Sequence, residues 1–94
     1  MHAVIGQVKI DTTREDDARK ILSEIVVPTA KQMAGFVSGT WCRALQDDRG
    51  ISVLLFESES AARAAAEQMR SQGPPPGTPA TFVSADVFEV VAQT

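Results

Sequence analysis

The chain has 94 residues, nine Lys+Arg against twelve Asp+Glu for a formal charge of −3, and a hydrophobic fraction of 44%. This is the composition of one small folded domain (residues 1–94), and an acidic balance without a basic cluster argues against nucleic acid as a partner. A single cysteine (Cys42), a single histidine (His2) and no tyrosine or asparagine exclude an intramolecular disulfide, a zinc constellation and N-glycosylation.

The first segment, Ala3 to Ile10, is rich in β-branched residues and reads as a strand with apolar side chains on both faces. Thr12 followed by Glu15 has the spacing of a capping box, and Glu15, Asp16 and Asp17 suit the positive end of a helix. Ala18, Ile21, Leu22, Ile25 and Val26 then form an apolar stripe at helical spacing. Pro28 lacks the amide needed to continue the ladder, so a kink or break is expected near Val27, with a second segment to Met33 and Gly35 as C-terminal cap.

Phe36–Leu45 and Ile51–Phe56 flank a short Asp/Gly loop and read as a β-hairpin. Ser58 is placed to cap an alanine-rich helix from Glu59 to about Gln72, in which Glu59 and Arg63 pair in the favourable i,i+4 order. Gly73-Pro74-Pro75-Pro76-Gly77-Thr78-Pro79 can be neither helix nor central strand and reads as a stiff connector. Thr81 to Ala92 supplies a last strand.

The element order β-α-β-β-α-β favours a ferredoxin-like α+β fold: a four-stranded antiparallel sheet in the order 4-1-3-2, with both helices on one face. Two helices cover one face only, yet the strands are apolar on both. Simple alternation groups Phe36, Ser38, Thr40 and Cys42 against Val37, Gly39, Trp41 and Arg43, and Phe82, Phe88 and Val90 against Val83, Ala85 and Val87. An uncovered apolar face is more than a monomer usually exposes, and a second copy of the sheet is the simplest cover. A homodimer whose sheets form a barrel is therefore expected.

The run Gly35-Phe36-Val37-Ser38-Gly39-Thr40-Trp41-Cys42-Arg43, the hairpin, Val53-Leu54-Leu55-Phe56-Glu57-Ser58 before an alanine-rich helix, and the closing Val87-Phe88-Glu89-Val90-Val91 together resemble the dimeric α/β-barrel superfamily. Its members include antibiotic-biosynthesis-monooxygenase-like domains, stress-responsive barrel proteins and haem-degrading enzymes. The resemblance implies a pocket between sheet and helices. It places Phe56 where haem degraders carry a pocket tryptophan, and Gln7 near their first-strand asparagine. Without an asparagine, and with His2 as the only histidine, haem degradation is disfavoured.

The expected ligand site is a cavity lined by Phe56, Phe82 and Phe88 with Asp86 as polar group, and with Trp41 as either a stacking partner or an anchor at the dimer seam. Alternation directs Cys42 to the helices as a buried structural thiol. Asp86 is a site carboxylate if its face is buried and a wet one if it is open. Arg43 reaches solvent or guards an edge strand, and His2 sits at a flexible end. No catalytic residue is assigned, and no metal or cofactor is expected. Two functions stay open: binding and cofactor-independent oxidation of a small apolar or aromatic molecule, or a non-catalytic, stress-related binding barrel. No signal peptide or membrane span is legible, so a cytoplasmic, membrane-free setting is expected.

Overall fold

The computed structural model describes residues 1–94. Strand β1 (His2–Ile10) leads through a one-turn 3-10 segment (Thr12–Arg14) into helix α1 (Glu15–Ile21), a π-helical stretch (Leu22–Val26) and helix α2 (Val27–Lys31). Strands β2 (Phe36–Arg43) and β3 (Arg49–Phe56) form the hairpin, and helix α3 (Glu59–Gln72) and strand β4 (Ala80–Glu89) complete the chain. All pairings are antiparallel, in the sheet order β2-β3-β1-β4, which is the expected topology.

The cap of the first helical region lies one residue earlier than the capping-box reading. Asp11 accepts from the Thr13 amide (3.0 Å) and hydroxyl (2.6 Å) and so opens a 3-10 turn. Its carboxyl is held below the ordinary range, chiefly by the Thr13 hydroxyl. Near Pro28 the helix does not break. The Val27 amide bonds to the Leu22 carbonyl, one residue further back than in an α-helix. This widened turn absorbs the residue that the proline ring would otherwise drive into the preceding carbonyl, and α2 continues with Pro28 in its first turn. Gly35 then turns the chain at φ +74°.

Ser58 caps α3 as expected, accepting from the Ala61 amide at 3.2 Å. On the buried side of α3, Ala62, Ala65 and Ala66 lie against the sheet and form the core with Val4, Leu54, Phe56 and Ala85. Small side chains let this helix approach closely. Arg70 reaches from its last turn to the open edge of β4, where its guanidinium donates twice to the Ala85 carbonyl (3.0 and 2.6 Å).

Two β-bulges decide which side chains face the helices. The β2–β3 register shifts between Phe36 and Ser38, and the β1–β4 register shifts where Gln7 pairs with Ser84 but Val8 with Phe82. Val37 and Val83 are the extra residues, and each resets the alternation of its strand. Simple alternation therefore fails in both strands. The helix-facing rows read Phe36–Phe56–His2–Glu89, Gly39–Leu54–Val4–Val87, Trp41–Ser52–Gly6–Ala85 and Arg43–Gly50–Val8–Phe82.

The opposite face carries Ser38–Leu55–Ala3–Phe88, Thr40–Val53–Ile5–Asp86 and Cys42–Ile51–Gln7–Ser84. No helix covers it. Leu55, Val53, Ile5 and Ile51 are half-buried there by their neighbours alone, and Phe88 is 47% exposed. Only 12 of the 94 residues are buried, which leaves an apolar sheet face without a lid in the single chain.

Candidate functional site in the helix–sheet cavity

The two rows nearest the start of β1 are packed solid. Phe56 is fully buried, with its ring edge-on to Phe36 at a centroid distance of 5.9 Å, and α3 covers Val4 and Leu54. The next two rows are not filled. The row Trp41–Ser52–Gly6–Ala85 presents small groups at three of its four positions, and the last row has glycine at Gly50. Above them stands the first helical region, whose packing on the sheet is made by α2 against β2. Ala18, Ile21, Leu22 and Val26 point inward, yet α1 and the π-helical stretch contain no buried residue. Their stripe faces space rather than side chains, while Ile25, expected on the same stripe, turns outward at 45% exposure.

The result is a cavity of about 660 Å³ between helix and sheet. Trp41 and Phe82 stand at opposite edges of its floor, Met33 and Met69 close it toward the core, and Pro74, Pro75 and Pro76 border its mouth. Gly6 and Gly50 set the floor, and Gly39 in the adjacent packed row makes room for the Trp41 ring. A Cβ on Gly39 would meet the Trp41 ring at 2.8 Å, one on Gly6 the Met69 methyl at 2.8 Å, and one on Gly50 the Ile10 side chain at 2.8 Å. The large side chains thus lie down over glycines and leave the volume above them open.

The border formed by the proline run is ordered. Pro75 to Thr78 make a type II turn, with Pro76 in its second position, Gly77 at φ +83° and the Thr78 amide donating to the Pro75 carbonyl at 3.1 Å. Gly73 ends α3 at φ +63° and ψ −167°, a region open essentially to glycine alone. Pro79 is buried and accepts from the Asp11 amide at 2.9 Å.

At the other side of the mouth Arg43 turns inward and its Nε lies 3.0 Å from Glu15 Oε1; the same oxygen receives Arg19 Nη2 at 3.1 Å. Arg43 is thus a strut between β2 and α1 rather than an edge guard. Alternation hid this role, because the bulge at Val37 decides its direction.

The residues expected to form one site divide between three places. Trp41 and Phe82 line the cavity, Phe56 belongs to the solid core, and Phe88 and the exposed Asp86 lie on the uncovered face. Asp86 is a wet carboxylate in the single chain. Trp41 points toward the helices and not to the uncovered face, whereas Cys42 is exposed on that face rather than buried under the helices. Gln7 also points away from the cavity; Gly6 occupies the inward position.

His2 lies outside the cavity in the first row, with Nε2 3.7 Å from Glu59, and its buried Nδ1 has no partner. Glu59 donates nothing to the cavity either; its carboxyl is held below the usual range mainly by Arg63 at 2.8 Å. No three His, Cys, Asp or Glu side chains converge on a point where a metal would sit. No helix is long and apolar enough to cross a membrane.

No protein-family model matches the chain, and no curated protein matches it. Solved structures do. The haem-degrader MhuD of Mycobacterium tuberculosis, with two haems bound in its active site, superposes with a TM-score of 0.77 at 20% identity over 100% of this chain and 99% of its own. A Deinococcus radiodurans protein described as an antibiotic biosynthesis monooxygenase gives 0.71 at 11% identity, covering 100% and 96%. A Streptomyces coelicolor monooxygenase in complex with nanaomycin D gives 0.66 at 16%, covering 99% and 89%. At these identities the likeness is one of fold. The chain has a ferredoxin-like α+β fold, which it shares with these proteins.

Proposed function

We propose that the chain binds one small, largely apolar or aromatic molecule in the helix–sheet cavity, as a homodimer joined through the uncovered sheet face. The observation that carries the reading is the cavity itself. The space is open at its mouth and mostly apolar in its lining, and about 660 Å³ lies within the ~300–1,000 Å³ typical of small-molecule sites. A helix that keeps its apolar stripe unburied above a floor of glycine and serine is a poor way to stabilise a fold and a direct way to build a binding site. Two fold neighbours were solved with organic molecules bound, which supports the same use of the fold.

The cavity's donor set suits a metal-free organic ligand better than haem. Its walls carry no imidazole, and the only sulfurs in reach are the thioethers of Met33 and Met69. A monooxygenase-like reaction here would proceed on the bound molecule with no metal held by the protein, and the apolar walls would orient it and exclude water. The non-catalytic reading has its own support. Glu15, the one carboxylate on the wall, is committed to two arginines and leaves no free acid–base pair aimed inward.

The test is a fluorescence titration with the neutral dye N-phenyl-1-naphthylamine. Saturable binding by the unaltered chain, lost in Ala18→Trp, which fills the cavity from α1, is the expected result. Equal binding by both proteins, at matched circular dichroism and melting temperature, contradicts it. Oxygen uptake with phenolic substrates then separates the two functions.

A further inference from the structure

The charges around the cavity narrow the ligand further, on the reading that the cavity binds a small molecule. Among its lining residues only Glu15, Arg19 and Arg43 are charged, so a chain of formal −3 carries a local excess of one positive charge at this mouth. A single oxygen, Glu15 Oε1, serves both guanidiniums. Arg43 meets Glu15 through Nε as an ion pair, and its two terminal nitrogens make no hydrogen bond to the protein. They sit at the end of a short lever: Arg43 is fixed in register opposite Gly50 on the cavity floor, and its side chain is 36% exposed, between full solvent and burial. The remaining lining is apolar or neutral.

We propose that the ligand is an acid, an apolar or ring-bearing body with one anionic group (carboxylate, sulfonate or phosphate) that pairs with the free edge of Arg43 and with Arg19. The planar guanidinium fork matches such groups in two-point contact. Glu15 plays two roles in this arrangement. It orients both arginines in the empty site, and its charge opposes an entering anion, so it limits affinity while keeping the site assembled.

Two dyes with the same aromatic body test this: 1-anilinonaphthalene-8-sulfonate and the neutral N-phenyl-1-naphthylamine, each titrated into the full chain, with Ala18→Trp defining the signal that comes from the cavity. The expected result is a preference for the sulfonate that falls about 3- to 10-fold in Arg43→Gln, falls less in the exposed Arg19→Gln, and is partly restored in Arg43→Lys. Glu15→Gln raises sulfonate affinity, the neutral dye changes by less than about twofold throughout, and added salt weakens the sulfonate alone. Cavity binding of the neutral dye with no sulfonate preference, or a preference that survives both arginine substitutions, overturns this inference and leaves the cavity reading standing. Binding of neither dye, or binding indifferent to Ala18→Trp, overturns both.

Discussion

At the scale of single residues, the fold turns on positions where a side chain would collide. Gly35 combines a left-handed backbone (φ +74°) with a Cβ position only 2.8 Å from the Ala61 methyl, so α2 can meet β2 only through a glycine. Gly35→Ala is expected to cost about 2 kcal/mol in urea unfolding, from the left-handed conformation and the contact together. The sequence marks this glycine by its place after a helix. It does not mark Gly6, Gly39 and Gly50, whose importance lies in what bends over them. Asp11 gives a pH-dependent prediction. Its carboxyl is depressed from 3.8 by the Thr13 hydroxyl and amide, and that of Asp47 by Arg49. A depressed carboxyl contributes stability in full above its unfolded value and loses it as pH falls through the lower folded value. Acid unfolding of the Asp11→Asn variant should therefore lack part of the loss that the unaltered chain shows below about pH 4, and the two chains should differ most near neutrality. Equal stability differences at pH 7 and pH 2 would remove the cap from this account.

At the scale of elements, the expected order, topology and spans of strands and helices hold to within a few residues, because periodicity and punctuation by Gly, Pro and Ser are local signals. Side-chain direction was lost where a bulge intervened. One extra residue, Val37 or Val83, turns the rest of its strand over, and nothing in the run of apolar residues around either valine announces it. For this reason simple alternation puts Trp41 and Arg43 on the wrong face, sends Cys42 under the helices, and groups Phe88 and Asp86 with Phe82. Pro28 shows the same limit for helices: the sequence demands an irregularity there, while the π-helical solution depends on a stripe free to stand away from the sheet. The open edge of β4 carries its own prediction. Arg70→Ala removes two hydrogen bonds to the Ala85 carbonyl and is expected to cost about 1 kcal/mol, the charged contact being partly wet. Faster amide exchange along β4 than along β3 would report it, and an unchanged β4 would contradict it.

At the scale of the whole molecule, one sheet divides two apolar surfaces with different fates. The helix side is half core and half cavity. The other side presents Leu55, Val53, Ile5 and Phe88 to whatever covers it, and at about 25 cal/mol per Å² its burial is a large term for so small a domain. Val53→Lys with Leu55→Glu should convert a dimer of the 10.1 kDa chain to a monomer in light scattering at micromolar concentration. An unaltered chain already monomeric there would refute the covered face. The central claim, that the ligand lies between helix and sheet rather than on that outer face, has a direct reporter in Trp41, the chain's one tryptophan, which lines the cavity. Adding N-phenyl-1-naphthylamine to nitrogen-15-labelled protein should shift the single indole N–H resonance and the amides of Leu22, Ser52 and Met69. Shifts confined to Val53, Leu55 and Phe88, with the indole unmoved, would contradict the account.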